Sequence, residues 1–130
     1  MKKLLIIPML FACYMVMGQN AAKIIGKPYQ LKNIEVAQHD FPNAQTWNDA
    51  IAKCKGLGNG WRLPTSDELN KLYNNRKKIG GFKDNYFDDF YWSSFAEKEN
   101  LVAPGQDFFN GNQGNANKRL KNYVRAVRTK

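Results

Sequence analysis

Gly58-Asn59-Gly60-Trp61-Arg62-Leu63-Pro64-Thr65-Ser66-Asp67-Glu68-Leu69 spells the end of one helix and the start of another. Before it, Thr46 with Asp49 three residues later forms a variant capping box, and Trp47, Ala50, Ile51 and Cys54 recur at helical spacing. Gly58 stands where a C′ glycine ends such a helix. After it, Pro64 fixes the approach to a second helix, Thr65 caps that helix, and Glu68 completes the capping box. Leu69, Leu72 and Tyr73 then share one face.

Beyond Ile79-Gly80-Gly81-Phe82 the pattern turns extended, with Phe87, Phe90, Tyr91 and Trp92 crowding toward Ser93-Ser94. Gln106 to Phe109 reads as a strand, Asn110-Gly111 as a turn, and Asn112 to Asn117 as a polar loop. Tyr123 to Arg128 closes the chain by alternation, Val124 and Ala126 to one side, Tyr123, Arg125 and Val127 to the other. On the N-terminal side, Tyr29 to Val36 suits a strand or two. Strands, two helices and further strands in that order predict an α+β domain, two helices packed on a small, mainly antiparallel sheet.

The chain has 130 residues, enough for one domain, and its 43% hydrophobic and 13% aromatic content supplies a core. Met1-Lys2-Lys3 followed by the apolar run Leu4 to Met17 has the form of a secretory signal, with cleavage expected after Gly18. That run is short for a membrane anchor of about 20 residues. Lipid attachment at Cys13 is the rival processing route. The division is thus 1–18 signal peptide, 19–33 lead-in and 34–130 folded domain. The protein is expected in the periplasm, at the cell surface or outside the cell, with no transmembrane helix in the mature chain. Cys54 is then the lone cysteine and His39 the lone histidine, which predicts no internal disulfide, no metal site and no cofactor.

Thr46-Trp47-Asn48-Asp49-Ala50, Cys54, Gly58 to Thr65 and Glu68-Leu69 resemble the Legionella collagen-like protein C-terminal domain family, also described as the Fibrobacter-type paralogous domain. Ile79-Gly80-Gly81-Phe82, Tyr91-Trp92-Ser93-Ser94, Phe109-Asn110-Gly111-Asn112-Gln113 and Tyr123 to Arg128 follow in the family's order. The resemblance spans about Ile34 to Arg128. It implies a C-type-lectin-like fold in exported bacterial proteins, some linked to adhesion and sulfated polysaccharides. Trp61-Arg62-Leu63-Pro64-Thr65 also resembles formylglycine-generating oxidases, but that chemistry relies on a cysteine pair and only Cys54 remains.

No other catalytic set is better furnished. Trp47-Asn48-Asp49 spells a tripeptide of calcium-dependent lectins, yet here it opens a helix, and Asp84, Asp88 and Asp89 are too few oxygens for calcium. Ser93 and Ser94 have only His39 to serve as a base, adjacent carboxylates do not straddle a sugar, and no phosphate loop is present. The remaining signal is charge. The formal net charge is +9, removal of Met1 to Gly18 takes away only Lys2 and Lys3, and no acidic residue follows Asp107. Lys118, Arg119, Lys121, Arg125, Arg128 and Lys130 therefore predict a cationic face for a polyanion. The expected recognition surface is Asn110, Asn112, Gln113, Asn115, Lys118, Arg119, Lys121 and Arg125, amides for hydroxyls and cations for anions. An exported, non-catalytic lectin-like binding or adhesion module is the expectation, with an anionic or sulfated polysaccharide or cell-envelope component as partner and nucleic acid excluded by compartment. A structural or protein-interaction domain without glycan affinity is the alternative.

Overall fold

The computed structural model describes residues 20–95 and 99–130; the signal-peptide and Cys13 expectations lie outside them. Residues 20–25 are helical. After them come β1 (Tyr29–Leu31), β2 (Ile34–Val36), α1 (Trp47–Gly56), α2 (Ser66–Asn74), the short α3 (Arg76–Ile79), β3 (Phe90–Trp92), β4 (Val102–Asp107), β5 (Gln113–Asn117) and β6 (Val127–Thr129). No helix among the described residues is long and apolar enough to cross a membrane.

The helices begin where their side chains can satisfy free backbone donors. Thr46 Oγ1 accepts from Asp49 N at 3.4 Å, and in α2 the capping box is complete, with Glu68 N donating to Thr65 Oγ1 and Thr65 N to Glu68 Oε1. Trp47, Ala50 and Cys54 bury the inner stripe of α1, while Ile51 lies at its exposed edge. Leu69 and Leu72 do the same for α2.

The β structure divides into two antiparallel three-stranded sheets, β1-β2-β6 and β3-β4-β5. Trp61 to Pro64 runs extended between them. Arg62 and Val127 exchange both backbone hydrogen bonds, and Ser94 N donates to Pro64 O at 2.8 Å. One buried cluster gathers Trp47, Cys54, Trp61, Leu63, Trp92, Val124 and Ala126 beneath α1, and a second gathers Ile34, Val36, Leu69, Leu72, Tyr91, Phe108 and Val127 beneath α2. Two indole N–H groups are tied to distant main chain, Trp47 to Ser93 O and Trp92 to Gln45 O.

Three expectations of local structure change. The strand expected at Gln106–Phe109 is the last part of β4 followed by a turn. The polar loop expected at Asn112–Asn117 is strand β5, paired with β4 from Val102↔Asn117 to Gln106↔Gln113. Tyr123–Arg128 is no alternating strand, because Val124, Arg125, Ala126 and Val127 are all buried where the chain threads between the two sheets. β1 pairs with β2, so the sheet reaches into residues 19–33.

Candidate functional site

The β4–β5 hairpin turns at Asn110-Gly111. Gly111 holds φ at +83° and donates its N–H to Asp107 O at 2.7 Å; a Cβ there would come within 2.6 Å of the Tyr73 ring, so only glycine fits. Asp107 Oδ1 accepts from Phe109 N and Asn110 Oδ1 from Asn112 N, which fixes both side chains against the turn. A second loop is braced from within. Buried Asp89 accepts from Asn85 N and Tyr86 N at 2.9 and 2.8 Å and holds Phe87 and Asp88 outward, Asp88 at φ +70°.

Between these loops lies a groove of about 620 Å³. The registers Phe90↔Asp107 and Gly105↔Gly114 set Phe90, Asp107, Gly105, Gly114 and Ala116 on one face of β3-β4-β5. Trp92 and Ala103 of that face are buried in the core, whereas nothing lies within 4 Å of a Cβ built on Gly114. Gly114 and Ala116 are therefore a low floor open to solvent. Phe87 and Phe90, Leu120, and the polar residues Asp88, Asp107, Asn110, Asn112, Lys121 and Asn122 border it. Asn122 Nδ2 is buried without a hydrogen-bond partner. Phe87 is 74% exposed and meets Phe109 ring to ring at 6.0 Å.

Of the residues expected to recognise a ligand, Asn110, Asn112, Gln113, Asn115 and Lys121 border this groove. Alternation turns Gln113 and Asn115 to the opposite face, and Gln113 Nε2 donates to Ser66 O at 2.9 Å. Lys118 sits over the Trp47 ring at 4.7 Å and accepts Trp47 N at its carbonyl, close to the start of α1. Arg119 is exposed on the turn after β5.

Arg125 does not belong to any recognition surface. Its side chain is fully buried, Nε lies 2.6 Å from Asp40 Oδ1, the two Nη atoms reach Ala37 O and Gly80 O, and the guanidinium stacks 3.9 Å from the centre of the Phe82 ring. Tyr91 OH donates to the other Asp40 oxygen. Burial pushes the Asp40 carboxyl above its ordinary range, against the opposing pull of Arg125 and Tyr91. Arg128 is likewise engaged, 3.3 Å from Glu35 and over the Trp61 ring, and Arg62 forks onto Glu68 at 2.7 and 3.0 Å. Internal pairing thus withdraws Arg125 and Arg128 from the cationic face expected from the C-terminal sequence.

Phe87, Asp88, Phe90, Asp107, Leu120 and Asn122 were not anticipated as site residues. From sequence Asp88-Asp89 reads as a solvated acidic turn before the Tyr91-Trp92 strand, whereas in the structure buried Asp89 braces the loop and Phe87 is exposed on it.

The Lcl C-terminal domain family matches residues 20–128. The chain belongs to that family. No curated protein matches it by sequence. Among solved structures, botrocetin is similar with a TM-score of 0.57 at 10% identity, covering 81% of this chain and 98% of that one. Rhodocetin, solved in complex with the integrin α2-A domain with strontium, reaches 0.60 at 10% identity with the same coverage. Botrocetin bound to the A1 domain of a von Willebrand factor mutant reaches 0.54 at 9% identity, again over 81% and 98%. At such identities the likeness establishes the fold: this Lcl C-terminal domain is C-type-lectin-like.

Cys54 is fully buried in the α1 cluster, and burial pushes its thiol up to about 12, so it offers no thiolate at neutral pH. Among the described residues no group of three or more His, Cys, Asp or Glu side chains could hold a metal ion.

Proposed function

We propose that this Lcl C-terminal domain is a non-catalytic binding module that takes a hydroxyl-rich glycan in the groove on β3-β4-β5. One observation carries the reading. Amide side chains at Asn110 and Asn112 and the exposed ring of Phe87 border an open floor at Gly114, the combination of planar hydrogen-bonding groups and an apolar face that sugars require. The signal-like sequence of residues 1–18 supports export before folding, and glycans of a cell envelope or matrix are the ligands that compartment offers.

Gly114 has strand geometry with free space above it, so Gly114→Trp fills the groove without straining the backbone. Affinity electrophoresis against dextran, mannan, galactan and their sulfated forms should show retardation of the parent protein that Gly114→Trp abolishes, with the melting temperature of the variant within about 3 °C of the parent. No retardation by any of these polymers would sink the proposal. A second reading is supported by Tyr86 and Phe87, 75% and 74% exposed, and by the protein complexes of similar folds: the patch would dock a protein. Silence on all polysaccharides, with Phe87→Ser preventing capture on host or envelope protein, would favour that reading.

A further inference from the structure

We infer that the groove selects an uncharged glycan chain and disfavours sulfated or uronate chains; the inference rests on the groove being the glycan site proposed above. The ionisable side chains bordering it are Asp88, Asp107 and Lys121, which leaves the groove with a net negative charge in a protein whose formal charge is +9. Both carboxylates sit on segments fixed by hydrogen bonds. Asp107 is held by Phe109 N at 2.8 Å, and Asp88 sits on the loop that buried Asp89 braces. Two of the arginines that the C-terminal sequence offers to this region are occupied elsewhere, Arg125 on Asp40 and Arg128 on Glu35.

Hydrogen-bond chemistry points the same way. A sugar hydroxyl can donate to Asp88 or Asp107 and accept from the side-chain amides of Asn110 and Asn112, whereas a sulfate ester is acceptor only and would face two carboxylates with nothing to give them. The groove therefore demands a ligand that is donor and acceptor at once. Basic composition and groove chemistry pull toward different polymers.

Matched pairs of one backbone test this, dextran against dextran sulfate and galactan against sulfated galactan, at physiological salt. Only the component of binding lost in Gly114→Trp is counted, which removes adsorption on the outer lysines and arginines. The neutral member of at least one pair should bind at least fivefold more tightly than its sulfated form. Asp88→Asn and Asp107→Asn, the latter keeping the acceptor for Phe109 N, should each shift the ratio toward the sulfated polymer by about two- to fivefold, the range of exposed charge interactions. Sulfated chains bound as tightly as neutral ones, or a ratio that neither asparagine variant moves, would overturn the inference and leave the glycan reading standing. Groove-dependent binding of no polymer at all would remove both.

Discussion

Arg125 ties its own segment to two others at one atom cluster: Asp40 and Ala37 after β2, and Gly80 with the Phe82 ring after α3. A buried ion pair is weak evidence of net stability, because burying both charges costs nearly what their attraction returns, but removing one partner strands the other. Arg125→Leu should thus lower unfolding stability by about 3–5 kcal/mol in urea titration, since Asp40 loses its cationic partner in a site that already disfavours the carboxylate. Adding Asp40→Asn retains an acceptor for Tyr91 OH and removes the stranded charge, so the double variant should recover at least about 1 kcal/mol. A double variant as unstable as the single one would show that packing against Phe82, rather than charge, is what Arg125 contributes.

At the scale of elements, α2 shows how one side chain can serve two structures. Glu68 closes the capping box through Thr65 N and simultaneously accepts the Arg62 fork, while Arg62 also donates to Thr129 at the end of β6. The hydrogen bond from Arg62 holds the Glu68 carboxyl below its ordinary value of 4.5. The folded protein binds that proton less readily than the unfolded chain, so this contribution is complete above pH 4.5 and lost as pH falls through the lower folded-state value. Glu68→Gln keeps the cap acceptor and loses the charge pair. Urea midpoints between pH 7 and pH 3 should therefore fall less steeply in the variant, with a deficit at pH 7 of about 0.5 kcal/mol because Arg62 is half exposed. Parallel slopes would assign the acid sensitivity to other carboxylates. Both capped helices were legible in the sequence because caps and stripes are local signals. β5 was not, since Gln-Gly-Asn-Ala-Asn has little intrinsic preference for a strand and pairs only because the Gly111 turn lays it on β4. Arg125 was misplaced for the same reason: alternation assigns a face, but its burial depends on Asp40, 85 residues away in sequence. The amides of the groove were found from the Asn-rich run itself, whereas its walls at Phe87 and Asp88 come from a loop more than twenty residues upstream, which no spacing rule joins to it.

Over the whole molecule, net charge and recognition come apart. The carboxylates Glu35, Asp40, Glu68 and Asp84 are each spent on arginine or lysine partners, so the excess positive charge is carried by exposed lysines and arginines such as Lys53, Lys55, Arg119 and Lys130, spread over several elements. Charges scattered in this way attract a polyanion through the average field and do so weakly at physiological salt, where screening reaches about 8 Å. A heparin resin should accordingly retain the protein at low ionic strength and release it at a salt concentration that falls with each cation removed, equally for Arg119→Glu and Lys130→Glu. Gly114→Trp, which fills the groove, should leave that elution point unchanged. If filling the groove instead abolishes heparin retention, the anion and glycan sites coincide, and the separation between the basic surface and the acidic groove is lost.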